Sequence, residues 1–163
     1  MLNGHQERQK MKIRSDFVSN SSSSSFVVIG GSDNKTMPFE WSCIPILLPS
    51  KQGCYEFGWS VNTYNDFWSK LNWCALMISD ERHNNKEHAE EMEALLKEVC
   101  AMNFNLNVAI MSDEKICELG AYIDHQSSIV EKPQNAIMFK NSSKLIRFLS
   151  SSESYIETGN DNG

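Results

Sequence analysis

From Tyr64 to Ile78 large apolar side chains recur at helical spacing: Tyr64, Phe67, Trp68, Leu71, Cys74, Ala75 and Ile78. A helix turns once in 3.6 residues, so these positions share one side, while Asn65, Asp66, Ser69, Lys70 and Asn72 fall mostly on the other. The pattern predicts an amphipathic helix over residues 63–79, with Asn62 or Thr63 as its cap. A polar break, DERHNN, leads to a second predicted helix over residues 86–102. Its inner face is Ala89, Met92, Leu95, Leu96, Val99 and Met102, and Asn84 followed by Glu87 resembles a capping box.

Shorter apolar runs surround this pair. Phe26–Ile29 reads as a buried strand stopped by Gly30 and Gly31. Residues 42–48 are rich in strand formers, but Pro45 demotes them to an edge strand or an irregular segment. Further strands are expected at 54–59, 106–111, 121–124, 136–139 and 154–157. Ser112 is placed to cap a short helix ending at Gly120, and Ser142 to cap another carrying Leu145, Ile146, Phe148 and Leu149. Strands and helices mix without strict alternation, which predicts an α+β fold: a mixed sheet, two main amphipathic helices and one or two short C-terminal helices.

The chain of 163 residues is long enough for one domain with a sizeable core and too short for two ordinary ones. The expected division is a polar extension with a Ser-rich segment over 1–25, then a single α+β domain over 26–163. Ser (22) and Asn (15) make up more than a fifth of the residues, high for a compact domain. Four Trp, eight Phe and four Tyr restore the apolar mass.

Net charge is −6, which argues against general nucleic-acid binding, since that affinity comes from neutralising phosphates. No apolar run reaches the ~18 residues needed to span a bilayer. The polar, basic start carries no secretory signal, and Met1 and Met11 are alternative natural starts. The five cysteines, Cys43, Cys54, Cys74, Cys100 and Cys117, are odd in number and lack C-x-x-C spacing. Buried free thiols of a reducing cytosol are the expectation.

All seven residues from Ser19 to Ser25 are Ser or Asn, flanked by Phe17-Val18 and by Phe26. Such runs are ordinarily flexible and solvated. A phosphate loop would need glycines, a Lys-Ser/Thr pair and a following helix, none of which is present. The segment from Met11 to Phe26, with Met11-Lys12-Ile13-Arg14, Phe17, Val18, Ser19, Asn20, Ser21, Ser22, Ser23, Ser24, Ser25 and Phe26, resembles a known N-terminal signature. That signature, MKIR-x-x-FVSNSSSSSF, opens many otherwise diverse, uncharacterised bacteriophage and bacterial proteins. The resemblance covers about a tenth of the chain. It implies a phage-like source and the cytoplasm of a bacterial host, and no activity.

Three constellations are candidates for function. Asp124 and His125 follow one predicted strand, and Asn160 and Asp161 follow another. Loops after strands are where open sheets place ligands. Asp124, His125 and Asp161 would offer oxygen and nitrogen to a divalent metal, or His125 a general base. Asp-His and Asn-Asp are also ordinary loop residues. Asp80, His83 and His88 read as a solvated loop.

Second, residues 80–98 hold seven acidic and three basic residues, a net of −4. Glu90, Glu91 and Glu93 on that segment would dock a basic groove, or simply form a solvated helix face. Third, eight aromatics between Trp41 and Trp73 are expected to form mostly one core, with Trp41 and Trp73 exposed as interface candidates.

The leading expectation is therefore a small, phage-encoded intracellular protein that binds a protein partner or assembles as a homo-oligomer, without membrane contact. It includes interference with a host factor. The alternative is a metal-dependent hydrolase or small-ligand-binding domain using the Asp124-His125 and Asn160-Asp161 loops. No cofactor is specified by the sequence.

Overall fold

The computed structural model describes residues 11–13, 23–31, 39–58, 61–124 and 136–160. The strands are β1 (Met11–Ile13), β2 (Ser23–Ile29), β3 (Ile46–Leu48), β4 (Glu56–Phe57), β5 (Asn62–Tyr64), β6 (Val108–Ile110), β7 (Tyr122–Ile123) and β8 (Tyr155–Asn160). The helices are α1 (Phe67–Asn84), α2 (Lys86–Phe104), α3 (Asp113–Leu119) and α4 (Ser142–Ser150), with a 3₁₀ turn at Ile137–Lys140. The class is α+β. The strands described form three small sheets in place of one mixed sheet: an antiparallel β1-β2-β8-β5 sheet and two parallel pairs, β3-β6 and β4-β7. No helix among the described residues is long and apolar enough to cross a membrane.

Helix α1 is the axis of the molecule, and it is not amphipathic. Ten of its apolar and polar residues in succession, Ser69 through Ile78, are buried. The polar ones are there because each ties down a neighbouring segment. Asn72 Oδ1 accepts the Ser50 N–H at 2.7 Å, and its amide donates to the carbonyls of Ser50 (2.7 Å) and Cys54 (3.0 Å). Ser69 Oγ accepts the Cys54 N–H at 2.8 Å. Lys70, only 1% exposed, donates from Nζ to the carbonyls of Ser151 (2.8 Å) and Ser154 (3.3 Å). A buried polar group is tolerated only when so paired. The α1 side chains that periodicity assigns to solvent thus hold the loops on either flank.

The start of α1 also differs from expectation. Asp66, not Asn62 or Thr63, is the cap, its carboxylate accepting the Ser69 N–H at 2.8 Å. Asn62–Tyr64 instead forms β5 and pairs with β8. Tyr64 still faces the core, stacking edge-on against Phe57 at 5.0 Å, which in turn meets Trp73 at 5.1 Å. A second aromatic group, Phe39, Phe67, Trp68 and Phe104, packs at centroid distances of 5.0–5.5 Å. Both groups belong to one hydrophobic core, as the sequence leads one to expect.

Helix α1 runs on through the polar break to Asn84, so Asp80 and His83 are helical. Asn85 ends it and caps α2, accepting the His88 N–H at 3.1 Å. Ser112 caps α3 and Gly120 ends it in the left-handed region, as the sequence predicts. Residues 136–139, expected as a strand, enter the 3₁₀ turn, and Asn141 rather than Ser142 caps α4. A four-residue apolar run has no period of its own, and the nearby Asn cap recruits it into a turn.

The Ser run is partly in the sheet. Ser23, Ser24, Ser25 and Phe26 pair with Asn160, Gly159, Thr158 and Glu157 of β8, and Met11–Ile13 pairs with Val27–Ile29. Ladder bonds use only backbone groups, so a serine string is no obstacle. Residues on both sides of position 26 therefore share one sheet. At the far end of β2, Gly31 (φ +76°) packs where any side chain would strike Ser151 Oγ. Ser154 Oγ bonds both the N–H and the carbonyl of Gly30, at 3.0 Å each.

Candidate functional site

The junction of α1, α2 and the N-terminus of α3 collects the largest set of charged side chains described. Arg82, on the last turn of α1, donates from Nη1 to the Met111 carbonyl (2.9 Å) and to Asp113 Oδ1 (3.1 Å). Its Nη2 donates to Glu93 Oε2 at 3.2 Å, and Lys97 holds the other Glu93 oxygen at 2.8 Å. Burial alone raises the Glu93 carboxyl, but the bonds from Lys97 and Arg82 outweigh it and hold Glu93 below its ordinary range. Ser79 Oγ donates to Asp113 Oδ1 at 2.7 Å, and His83 Nε2 lies 3.5 Å from Asp113 Oδ2. Ser, His and Asp are thus together, but the carboxylate stands between the hydroxyl and the imidazole. A nucleophilic serine needs its base on the hydroxyl, and here that place belongs to Asp113.

Two recesses flank this junction. One, of about 340 Å³, is lined by Arg82, Lys86, Glu90, Glu93 and Asp113. The other, of about 200 Å³, is lined by Leu76, Ser79, Asp80, His83, Ile116, Ala121, Tyr122 and Ile123.

The acidic candidates separate by role. Glu90 and Glu91 are exposed on α2, Glu90 4.0 Å from Lys86. Glu93 is held inside the ion-pair cluster, so it is not a free docking charge. His88 Nδ1 sits 3.0 Å from Glu81 Oε1, a contact that joins α2 to the buried end of α1.

Asp124 follows β7, with its N–H donating to the Phe57 carbonyl at 2.6 Å. Its Oδ2 is buried and has no hydrogen-bond partner among the described residues. His125 and Asp161 lie outside the described residues. Asn160 ends β8 in the four-stranded sheet, whereas Asp124 follows a strand of a two-stranded pair. Among the described residues no three His, Cys, Asp or Glu side chains form a group able to hold a metal ion.

Of the aromatic candidates, Trp41 is 50% exposed and Trp73 is fully buried. The expected exposure of Trp73 fails because α1 is buried all round and has no outer side at that turn. Ser21 and Ser22 lie outside the described residues, while Ser23, Ser24, Ser25 and Phe26 are the ladder residues given above.

Sequence reasoning named Trp41 but missed the two other large exposed apolar residues of its segment. Ile44 is 78% and Leu47 47% exposed, on the same segment as Trp41. No charged residue occurs from Trp41 through Ser50, a composition that equally suits a buried strand. The segment is anchored from behind. Asn107 donates to the carbonyls of Ser42 (3.1 Å) and Cys43 (3.2 Å), and Asn105, in the left-handed region, donates to the Phe39 carbonyl (3.0 Å).

The edge of β3 is blunted against strand addition. Ile46 N–H donates to the Asn107 carbonyl and the Leu48 carbonyl accepts from Met111, so Ile46 and Leu48 face β6. Alternation then turns the backbone of Leu47 outward. Two residues earlier Pro45 also faces outward, and it has no N–H to offer. What this edge presents is side chains. No family model, curated protein or solved structure matches the chain.

Proposed function

We propose that the protein acts by binding another protein, a second copy included, through the outer surface of residues 41–48. One observation carries this reading: Trp41, Ile44 and Leu47 are large, apolar and exposed on a single uncharged stretch that is hydrogen-bonded in place. Single exposed apolar residues are ordinary, whereas a cluster containing Trp on a fixed backbone has the make-up of an interface centre. Glu90 and Glu91, outside the ion-pair cluster, supply acidic charge suited to a basic partner. The resemblance of residues 11–26 to the phage and bacterial signature, together with five free thiols of which Cys74 and Cys100 alone are buried, supports a phage-encoded protein of the bacterial cytoplasm.

Native mass spectrometry of the tagged protein from a bacterial host tests this. A complex at fixed stoichiometry, lost in Ile44→Glu and weakened in Glu90→Lys/Glu91→Lys, is the expected result. A chain that stays alone, or a complex indifferent to Ile44→Glu, overturns it.

A further inference from the structure

The exposed apolar residues of the 41–48 segment have a counterpart on α2. Met102 is 69% exposed on the last turn of that helix. Three residues on, Asn105 donates to the Phe39 carbonyl at 3.0 Å, and Asn107 donates to the carbonyls of Ser42 and Cys43. These bonds tie the end of α2 to the start of the segment that carries Trp41 and Ile44.

From Met102 an open strip runs back along α2. Glu98, Ala94, Glu91 and Glu87 precede it at steps of four, four, three and four residues, and all five side chains are exposed. Helical geometry puts them within about 80° of one another around the axis and over a length of about 22 Å. Among the described residues Glu87, Glu91 and Glu98 have no ion-pair partner. The two lysines of α2 serve other acids: Lys86 lies 4.0 Å from Glu90, and Lys97 lies 2.8 Å from Glu93. The strip is therefore apolar at one end and carries three available carboxylates along the rest.

Resting on the reading that residues 41–48 bind a protein, we propose that the partner's docking element is an amphipathic basic segment. Its apolar residues seat on Trp41, Ile44 and Met102, and its lysines or arginines meet Glu98, Glu91 and Glu87 over the following ~22 Å. Charge selects this occupant. A second copy laid along the strip brings acid against acid, because the chain carries a net charge of −6. A wholly apolar segment would cover the three carboxylates and give them no counter-charge.

The test is fluorescence anisotropy of the full chain with a labelled helical peptide of about sixteen residues, with Leu-Leu-Trp at one end and a lysine on every turn thereafter. One control peptide replaces the lysines with glutamates, and another replaces the apolar end with alanines. The basic peptide with its apolar end is expected to bind with a Kd on the order of 10 μM, about tenfold tighter than either control. Glu87→Gln/Glu91→Gln/Glu98→Gln should weaken it about tenfold and flatten its salt dependence. Glu114→Gln/Glu118→Gln, which removes two exposed charges of α3, should leave it unchanged. Binding lost in Ile44→Glu but kept in the triple variant overturns the basic segment and keeps the 41–48 surface, whereas binding lost in neither overturns both. Equal weakening by the α3 pair overturns the proposal, as does a monomer–dimer equilibrium abolished by Ile44→Glu, which would make the occupant a second copy.

Discussion

The Lys70 ammonium nitrogen lies 2.8 Å from the carbonyl oxygen of Ser151, the residue that caps the C-terminus of α4. One long side chain thereby joins the central helix to the turn that launches β8, with the Phe148 ring 5.9 Å from the same nitrogen. The ammonium is bonded to carbonyls alone, with no carboxylate bonded to it among the described residues. Burial lowers its pKa from 10.5 to about 8, with Asp66 and Cys74 opposing the shift. Both carbonyl bonds survive deprotonation, because a neutral amine still has two N–H groups.

A pH dependence follows from that shift. Between pH 8 and 10.5 the unfolded chain holds the Lys70 proton and the folded chain does not, so this group adds stability as pH rises. Two and a half pKa units correspond to on the order of 3 kcal/mol over the full window. The thiols of Cys74 and Cys100 act oppositely. Burial pushes both up, Cys100 to about 12, so they remove stability as pH rises above 9. Comparing wild type with Lys70→Met by urea unfolding at pH 7.5 and 9.5 isolates the lysine. The stability gap should widen with pH, and a constant gap contradicts this account.

Asn72 carries three hydrogen bonds to Ser50 and Cys54, all lost in Asn72→Ala. Leaving those backbone groups unpaired should cost about 2–4 kcal/mol, with the Ser50 amide exchanging faster than the α2 amides. A loss below about 0.5 kcal/mol would mean that water replaces the side chain at no cost.

At the other end of α1, Glu93 works as a structural charge. Its carboxyl is depressed, so the stability that it contributes is present above pH 4.5 and lost as pH falls through its folded value. Glu93→Gln should cost about 1 kcal/mol at pH 7 and should flatten the acid limb of the stability profile. If the two proteins lose stability equally below pH 4.5, the network with Arg82 and Lys97 is ornamental. Charge-reversal tests of docking are therefore clean at Glu90 and Glu91 and confounded at Glu93.

Surface residues should behave in the opposite way. Trp41→Ala and Ile44→Glu remove exposed side chains, and each should change folding stability by no more than about 0.5 kcal/mol. Thermal melts that fall well beyond this would place these residues in the fold and not at its interface.

Much of this architecture was legible in the sequence, for reasons that particular residues make plain. Helix α2 combines an apolar stripe with one solvated side, so its period shows, although Met102, expected on the inner face, is 69% exposed and Cys100 and Phe104 are buried in the last turns instead. Ser112 and Gly120 mark the ends of α3 by local chemistry alone. Helix α1 defeats the same reasoning because Ser69, Lys70 and Asn72 are polar and buried. Their partners, Cys54, Ser151, Ser154 and Ser50, lie 15 to 84 residues away, beyond any local pattern. Asp113 is invisible to local reasoning, since its link to Ser79 and Arg82 spans more than thirty residues. The 41–48 surface was masked by its own composition: an apolar run with a proline looks like a buried edge until its exposure is seen.

The most direct test of the central claim is site-specific photo-crosslinking from position 44 in the living host. A benzophenone side chain there should trap one protein species at high yield, and the same probe at exposed Ser152 should not. Trapping at both positions alike, or at neither, would contradict a binding surface on residues 41–48.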